Sequence, residues 1–79
     1  MTFVKALEEL KLGKVIYNTR YPKICYQYTP HNEMLYRFNR CSSNKNKWYY
    51  SEEDDAISFQ EVLFDDWEIL NTDGLKFIF

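Results

Sequence analysis

Phe3, Ala6, Leu7 and Leu10 recur at i, i+3, i+4 and i+7, the spacing that lays one apolar stripe along an α-helix. Thr2 stands where an N-cap belongs, and Gly13 stands at the left-handed position that ends a helix. Glu8 and Lys11 form a same-face pair worth only a few tenths of a kcal/mol. A three-turn helix of this kind is marginal alone, so its stripe must be packed on something. It needs a sheet beneath it.

The middle of the chain supplies one. Val15-Ile16-Tyr17, Ile24-Cys25-Tyr26-Gln27-Tyr28 and Met34-Leu35-Tyr36-Arg37-Phe38 are short β-branched or aromatic runs. Turn chemistry at Asn18, Pro22 and Pro30-His31-Asn32 separates them. Ile24, Tyr26 and Tyr28 share one face, as do Met34, Tyr36 and Phe38, which is the period of a strand. Cys41 to Lys47 reads as an exposed loop before a fourth strand at Trp48-Tyr49-Tyr50, and Ser51 to Ala56 reads as a second loop with four consecutive acids. Ser58-Phe59-Gln60-Glu61 has capping-box spacing and predicts a helical turn through about Phe64. Trp67 to Leu70 and Leu75 to Phe79 read as the strands of a hairpin whose turn is Asn71-Thr72-Asp73-Gly74. The expected fold is α+β: an N-terminal helix packed on a mainly antiparallel β-sheet.

At 79 residues the chain is expected to form a single domain, 1–79, near the size where one core only just offsets chain entropy. Disulfides are the common remedy in secreted domains. Here there are only Cys25 and Cys41, and no signal-peptide pattern at the N-terminus, so reducing cytosol and two free thiols are the expectation. No apolar stretch approaches the ~20 residues of a spanning helix. Homo-oligomerisation is the remaining source of stability. The aromatic fraction of 19% points the same way, because aromatic area that one small core cannot absorb ends in an interface or a ligand pocket.

Charge is unevenly distributed. Residues 14 to 47 carry Lys14, Arg20, Lys23, Arg37, Arg40, Lys45 and Lys47 against Glu33 alone, a balance of +6, whereas residues 48 to 79 carry nine acids against Lys76, or −8. These charges can pair across neighbouring strands or stay solvated, which is the commoner outcome. Alternatively they can form a basic surface for an anion. Long nucleic acid is disfavoured by a pI near 5.3, since duplex-binding domains are strongly basic. A small anion in a local pocket is compatible.

Sites for chemistry are scarce. His31 is the lone histidine and lies in a predicted turn. Cys25 and Cys41 are not at zinc spacing. The Glu52-Glu53-Asp54-Asp55 run lacks the alternating pattern of a calcium loop. No nucleophile elbow occurs, and no Gly-rich phosphate loop can form with only Gly13 and Gly74. Neither an enzyme, a metal site nor a cofactor is expected. Asp66-Trp67 stands apart: an indole stacks on a base, and an adjacent carboxylate accepts hydrogen bonds from ribose. The plainer reading makes Trp67 a core anchor and Asp66 a turn cap, and composition alone favours it.

The opening Met1-Thr2-Phe3, Ala6-Leu7, Leu10-Lys11 and Gly13-Lys14, together with Val62-Leu63-Phe64-Asp65-Asp66-Trp67-Glu68-Ile69 near the other end, resembles the second Thoeris anti-defence family of phage proteins. That resemblance implies a small oligomeric sponge, a tetramer or dimer, acting in the host cytoplasm. Such a protein binds a cyclic nucleotide immune signal, of cyclic ADP-ribose or cyclic dinucleotide type, without cleaving it. It also implies ligand-binding residues. Arg20 and Tyr21 stand where the family usually has a basic residue followed by tryptophan, and Asp66 and Trp67 match the closing motif. Leu63-Phe64 stands where the family often has Leu-Ala. In this reading Arg20 pairs with phosphate, Tyr21 and Trp67 flank the base, and Asp66 holds the ribose. The alternative is an inhibitor that binds a host defence nuclease or other host protein through its acidic half or a sheet edge.

Overall fold

A computed structural model describes residues 1–51 and 57–79. The acidic run Glu52 to Asp55 expected in the second loop lies outside the described residues. Helix α1 spans Phe3–Lys11. The Thr2 hydroxyl accepts the amide of Lys5 at 3.3 Å. At the other end Gly13 N–H reaches Leu10 O at 3.0 Å and Lys14 N–H reaches Glu9 O at 3.3 Å, the paired bonds of a Schellman ending. Gly13 has φ 88, which L-residues with a Cβ rarely adopt. Glu8 pairs with Lys5 at 3.7 Å rather than with Lys11, and Glu9 reaches back to Lys14 at 2.8 Å.

Strands β1 (Ile16–Asn18), β2 (Ile24–Thr29), β3 (Met34–Arg40) and β4 (Lys47–Tyr50) follow, then helix α2 (Phe59–Val62), β5 (Trp67–Ile69) and β6 (Lys76–Ile78). Ser58 caps α2 by accepting the Glu61 amide at 3.2 Å. The six-stranded sheet has the order β5-β1-β2-β3-β4-β6. All neighbours are antiparallel except β4 and β6, which run parallel. The architecture is the expected α+β one, with element ends displaced by a residue or two from the sequence reading.

One connection corrects the expectation. The last two strands do not form a hairpin. The turn is present, with Leu75 N–H on Thr72 O at 3.1 Å and Gly74 at φ 77, but β5 pairs with β1 and β6 pairs with β4. The chain therefore passes from one sheet edge to the other through residues 70–75. Six flat strands at ~4.8 Å spacing would set the edges ~24 Å apart. Seven Cα steps fully extended span about that distance and no more. A link containing a turn falls short of it, so the sheet curls until its edges approach.

Curling creates two cores. On the helix side Ala6 and Leu10 pack against Ile16, Tyr26 and Trp67, with Phe3, Ile24 and Tyr28 around them. On the other side Val15, Cys25, Phe38 and Trp48 are enclosed by Tyr17, Tyr36, Tyr50, Leu70, Leu75 and Phe77. Ring centroids of Phe38 lie 4.8 Å from Phe77 and 6.2 Å from Tyr50, within the range of favourable edge-to-face pairs. Part of the aromatic content packs in this second core, with Phe38 and Trp48 wholly buried and Tyr17, Tyr36, Tyr50 and Phe77 partly so. Both thiols are free, Cys25 inside that core and Cys41 in the loop after β3. Among the described residues no helix is long and apolar enough to cross a membrane.

Candidate functional site

The end of the sheet built by the β1–β2 turn gathers most of the nominated residues. Asn18 is buried at the end of β1, opposite Trp67, and its Oδ1 accepts the amide of Arg20 at 2.9 Å. Tyr21 N–H bonds Asn18 O at 2.9 Å and Ile24 N–H bonds Tyr21 O at 3.1 Å. These local bonds are the reason asparagine suits this position. They fix the turn so that Arg20 and Tyr21 project outward.

Asp66 comes to this turn from the far end of the chain. Its carbonyl accepts the Thr19 amide at 3.0 Å, and its Oδ2 receives the Arg20 Nε–H at 2.6 Å. The hydrogen bond from Arg20 is the main reason the Asp66 carboxyl is held below the usual carboxylate range, and Arg20 is raised in turn by Asp66. The guanidinium carbon also lies 4.2 Å from the centroid of the Phe64 ring, and Tyr21 lies 6.3 Å from that ring. Arginine carries five N–H donors, so an Nε–H engaged with Asp66 leaves the terminal nitrogens to offer outward.

Arg20, Tyr21 and Asp66 thus form one surface cluster, and Phe64, which the sequence nominated for no ligand contact, belongs to it. Trp67 does not. Its side chain is 0% exposed, with its ring 5.3 Å from Phe3 and 6.2 Å from Tyr26. Its Nε1–H donates to Glu61 O at 3.2 Å. An indole enclosed on both faces cannot stack on a base. The base-flanking role assigned to Trp67 is therefore corrected: it anchors the helix-side core. The physical reason is strand alternation, because the side chain that follows the half-buried Asp66 as β5 begins is turned to the opposite face.

Tyr21, 44% exposed, is left as the aromatic platform. With Arg20, Pro22, Lys23 and Ile24 it lines a groove of about 320 Å³, at the lower end of small-molecule sites. The only sequence signal for Lys23 was the excess of cations between residues 14 and 47. Among the described residues no three of His, Cys, Asp and Glu converge as a metal-binding group. No family model, curated protein or solved structure matches this chain.

Proposed function

We propose that the chain binds a small nucleotide in the Arg20–Lys23 groove and sequesters it intact, as a cyclic-nucleotide sponge of the anti-defence type that its terminal blocks resemble. The observation that carries this reading is that the exposed Tyr21 lines one groove together with Arg20 and Lys23. An exposed aromatic face accepts a base with little sequence preference, and flanking cations accept phosphate. Asp66, fixed by Arg20, keeps carboxylate lone pairs for ribose hydroxyls. Val4, Leu12, Phe59, Leu63 and Phe79 are largely exposed, apolar surface that a homo-oligomer acting in the host cytoplasm would bury between its subunits.

A sponge competes stoichiometrically with a sensor, so its dissociation constant should be about nanomolar, roughly −12 kcal/mol. Calorimetry against cyclic ADP-ribose isomers and cyclic dinucleotides tests this. Nanomolar binding, with unchanged ligand recovered after the protein is denatured, supports the proposal. Affinity no tighter than micromolar for every member of the panel overturns it.

A second reading has its own observation. Tyr49 stands beside Ile78 and Asn39 in the sheet register, on the helix-side face where α1 does not reach, and Tyr49 and Ile78 are both exposed. Apolar side chains with an aromatic among them suit a protein partner. A stable stoichiometric complex recovered from host lysate, with no nucleotide bound, would favour an inhibitor of a host protein.

A further inference from the structure

Beside the Tyr21 groove lies a second cavity of about 260 Å³, lined by Pro22, Lys23, Arg40, Cys41, Ser42 and Lys45. It shares Pro22 and Lys23 with the first, so the two are direct neighbours on either side of that shared wall. Two separate chain segments build it. The β1–β2 turn supplies Pro22 and Lys23, and the end of β3 with the following loop supplies Arg40, Cys41, Ser42 and Lys45. The segments are joined by the Arg40 amide on Lys23 O at 2.9 Å, and the loop is closed by Cys41 N–H on Lys47 O at 3.0 Å.

Three cations therefore face one small space. Ion pairs among the described residues join Lys5 to Glu8, Lys14 to Glu9 and Arg20 to Asp66; none involves Lys23, Arg40 or Lys45. Like charges gathered without a counter-charge repel one another. Arg40 is moreover held in place: its guanidinium carbon sits 5.0 Å from the centroid of the Trp48 ring, and Trp48 is wholly buried. Packing against an immobile indole removes part of the rotamer freedom that an arginine otherwise loses on binding an oxyanion. Lys23 and Lys45 add point charges, and Ser42 adds a hydroxyl. The volume is below the ~300 Å³ typical of whole-molecule sites. It suits a headgroup.

We propose that this cavity is a phosphate subsite, taking a phosphoryl group of the ligand whose base lies against Tyr21. Nucleotides with a single phosphoryl group are thereby disfavoured, whereas cyclic ADP-ribose types and cyclic dinucleotides each carry the second one beyond that at Arg20. The assignment of a shared ligand rests on the proposed nucleotide reading, whereas the anion preference of the cavity does not.

Cys41, on the cavity wall, is a built-in reporter. Its alkylation by anionic iodoacetate, relative to neutral iodoacetamide, should exceed the same ratio for free cysteine at low salt. Lys23→Ala with Lys45→Ala should lower the ratio about five- to tenfold, the effect of two cations a few ångströms beyond contact in water. Millimolar inorganic pyrophosphate should slow alkylation by iodoacetamide in the native protein and not in the double variant, with peptide mapping confirming Cys41 as the site. Both lysines are outside the hydrophobic cores, and a thermal melt checks that the variant is folded. A ratio equal to that of free cysteine, or no protection by pyrophosphate, overturns the subsite. Pyrophosphate protection without nucleotide binding in calorimetry would keep the subsite and remove the nucleotide reading. Tight nucleotide binding undiminished in the double variant would do the reverse.

Discussion

Arg20 and Asp66, separated by 46 positions in sequence, meet at 2.6 Å, and this contact ties the β1–β2 turn to the residue that leads into β5. The backbone repeats the link, since Thr19 donates to the carbonyl of the same Asp66. A turn that carries the proposed ligand contacts is thereby anchored twice to the sheet's first edge. Its rigidity means that little ordering remains to be done on binding.

Asp66→Asn should cause a small loss of thermal stability near neutral pH, reduced by added salt because the pair is solvent-accessible. The pH dependence is the sharper measure. A carboxyl whose folded value is depressed stabilises the fold above its unfolded value and loses that contribution as pH falls through the folded one. Thermal melts from neutral to acid pH should show the native protein losing stability below the usual carboxylate range, with Asp66→Asn flatter there. Parallel curves would show that the Arg20 pair adds nothing.

The two buried tryptophans should respond differently to substitution. Trp67→Ala should cost about 3–5 kcal/mol in urea denaturation, as for other buried aromatics. Trp67→Phe also strands the Glu61 carbonyl that accepts the indole N–H. The Trp48 Nε1–H has no acceptor among the described residues, so Trp48→Phe removes a buried donor left without a partner there. It should therefore be the milder change, by about 1–2 kcal/mol.

Cys41 and Cys25 should be distinguishable by pH as well as by accessibility. Hydrogen bonding with Ser43, 3.0 Å away, is the main cause that draws the Cys41 thiol down to about 7. Burial pushes Cys25 up to about 12. In the folded protein Cys41 should alkylate with a midpoint near pH 7 while Cys25 stays inert, and in urea both should move toward the ordinary thiol range. The sign for stability follows. The ionised Cys41 favours the fold above its unfolded value, and that contribution is lost as pH falls through about 7. A Cys41 midpoint unchanged by urea would contradict the Ser43 contact.

Gly13→Ala should destabilise the protein by about 1–2 kcal/mol, the cost of placing an L-residue in the left-handed region. The space around Gly13 is open, with nothing within 4 Å of an added Cβ, so the cost is one of backbone conformation alone. Gly13→Asn should recover part of it, because asparagine tolerates this conformation. Equal denaturation midpoints for Gly13→Ala and the native protein would show that the helix ends elsewhere in solution.

Much of this fold was legible in local chemistry. The Phe3–Leu10 stripe, the Thr2 cap and the Gly13 terminator each act within a few residues, and all are found. Period two correctly put Ile24, Tyr26 and Tyr28 on one face and Tyr36 and Phe38 on another. The pairing of the last strands was not legible, because the Asn71–Gly74 turn is compatible with a hairpin and with a bend that sends the chain onward. β5 pairs with the outer edge of β1 and β6 with that of β4, and which edges are outer depends on the order of the first four strands in the sheet, which no local signal carries. The candidate site divides in the same way. Arg20, Tyr21 and Asp66 came from a resemblance and are found together, yet the cavity shared by Lys23, Arg40 and Lys45 depends on which turn lies beside which loop.

Periodicity, caps and turn residues determined the elements and their faces, since those preferences are set by neighbours in the chain. Whether Trp67 met a ligand or the core was decided by tertiary structure alone. Alternation turns Trp67 and the Asp66 that precedes β5 to opposite sides of the sheet, and only the packing of α1 against one side determines which is dry.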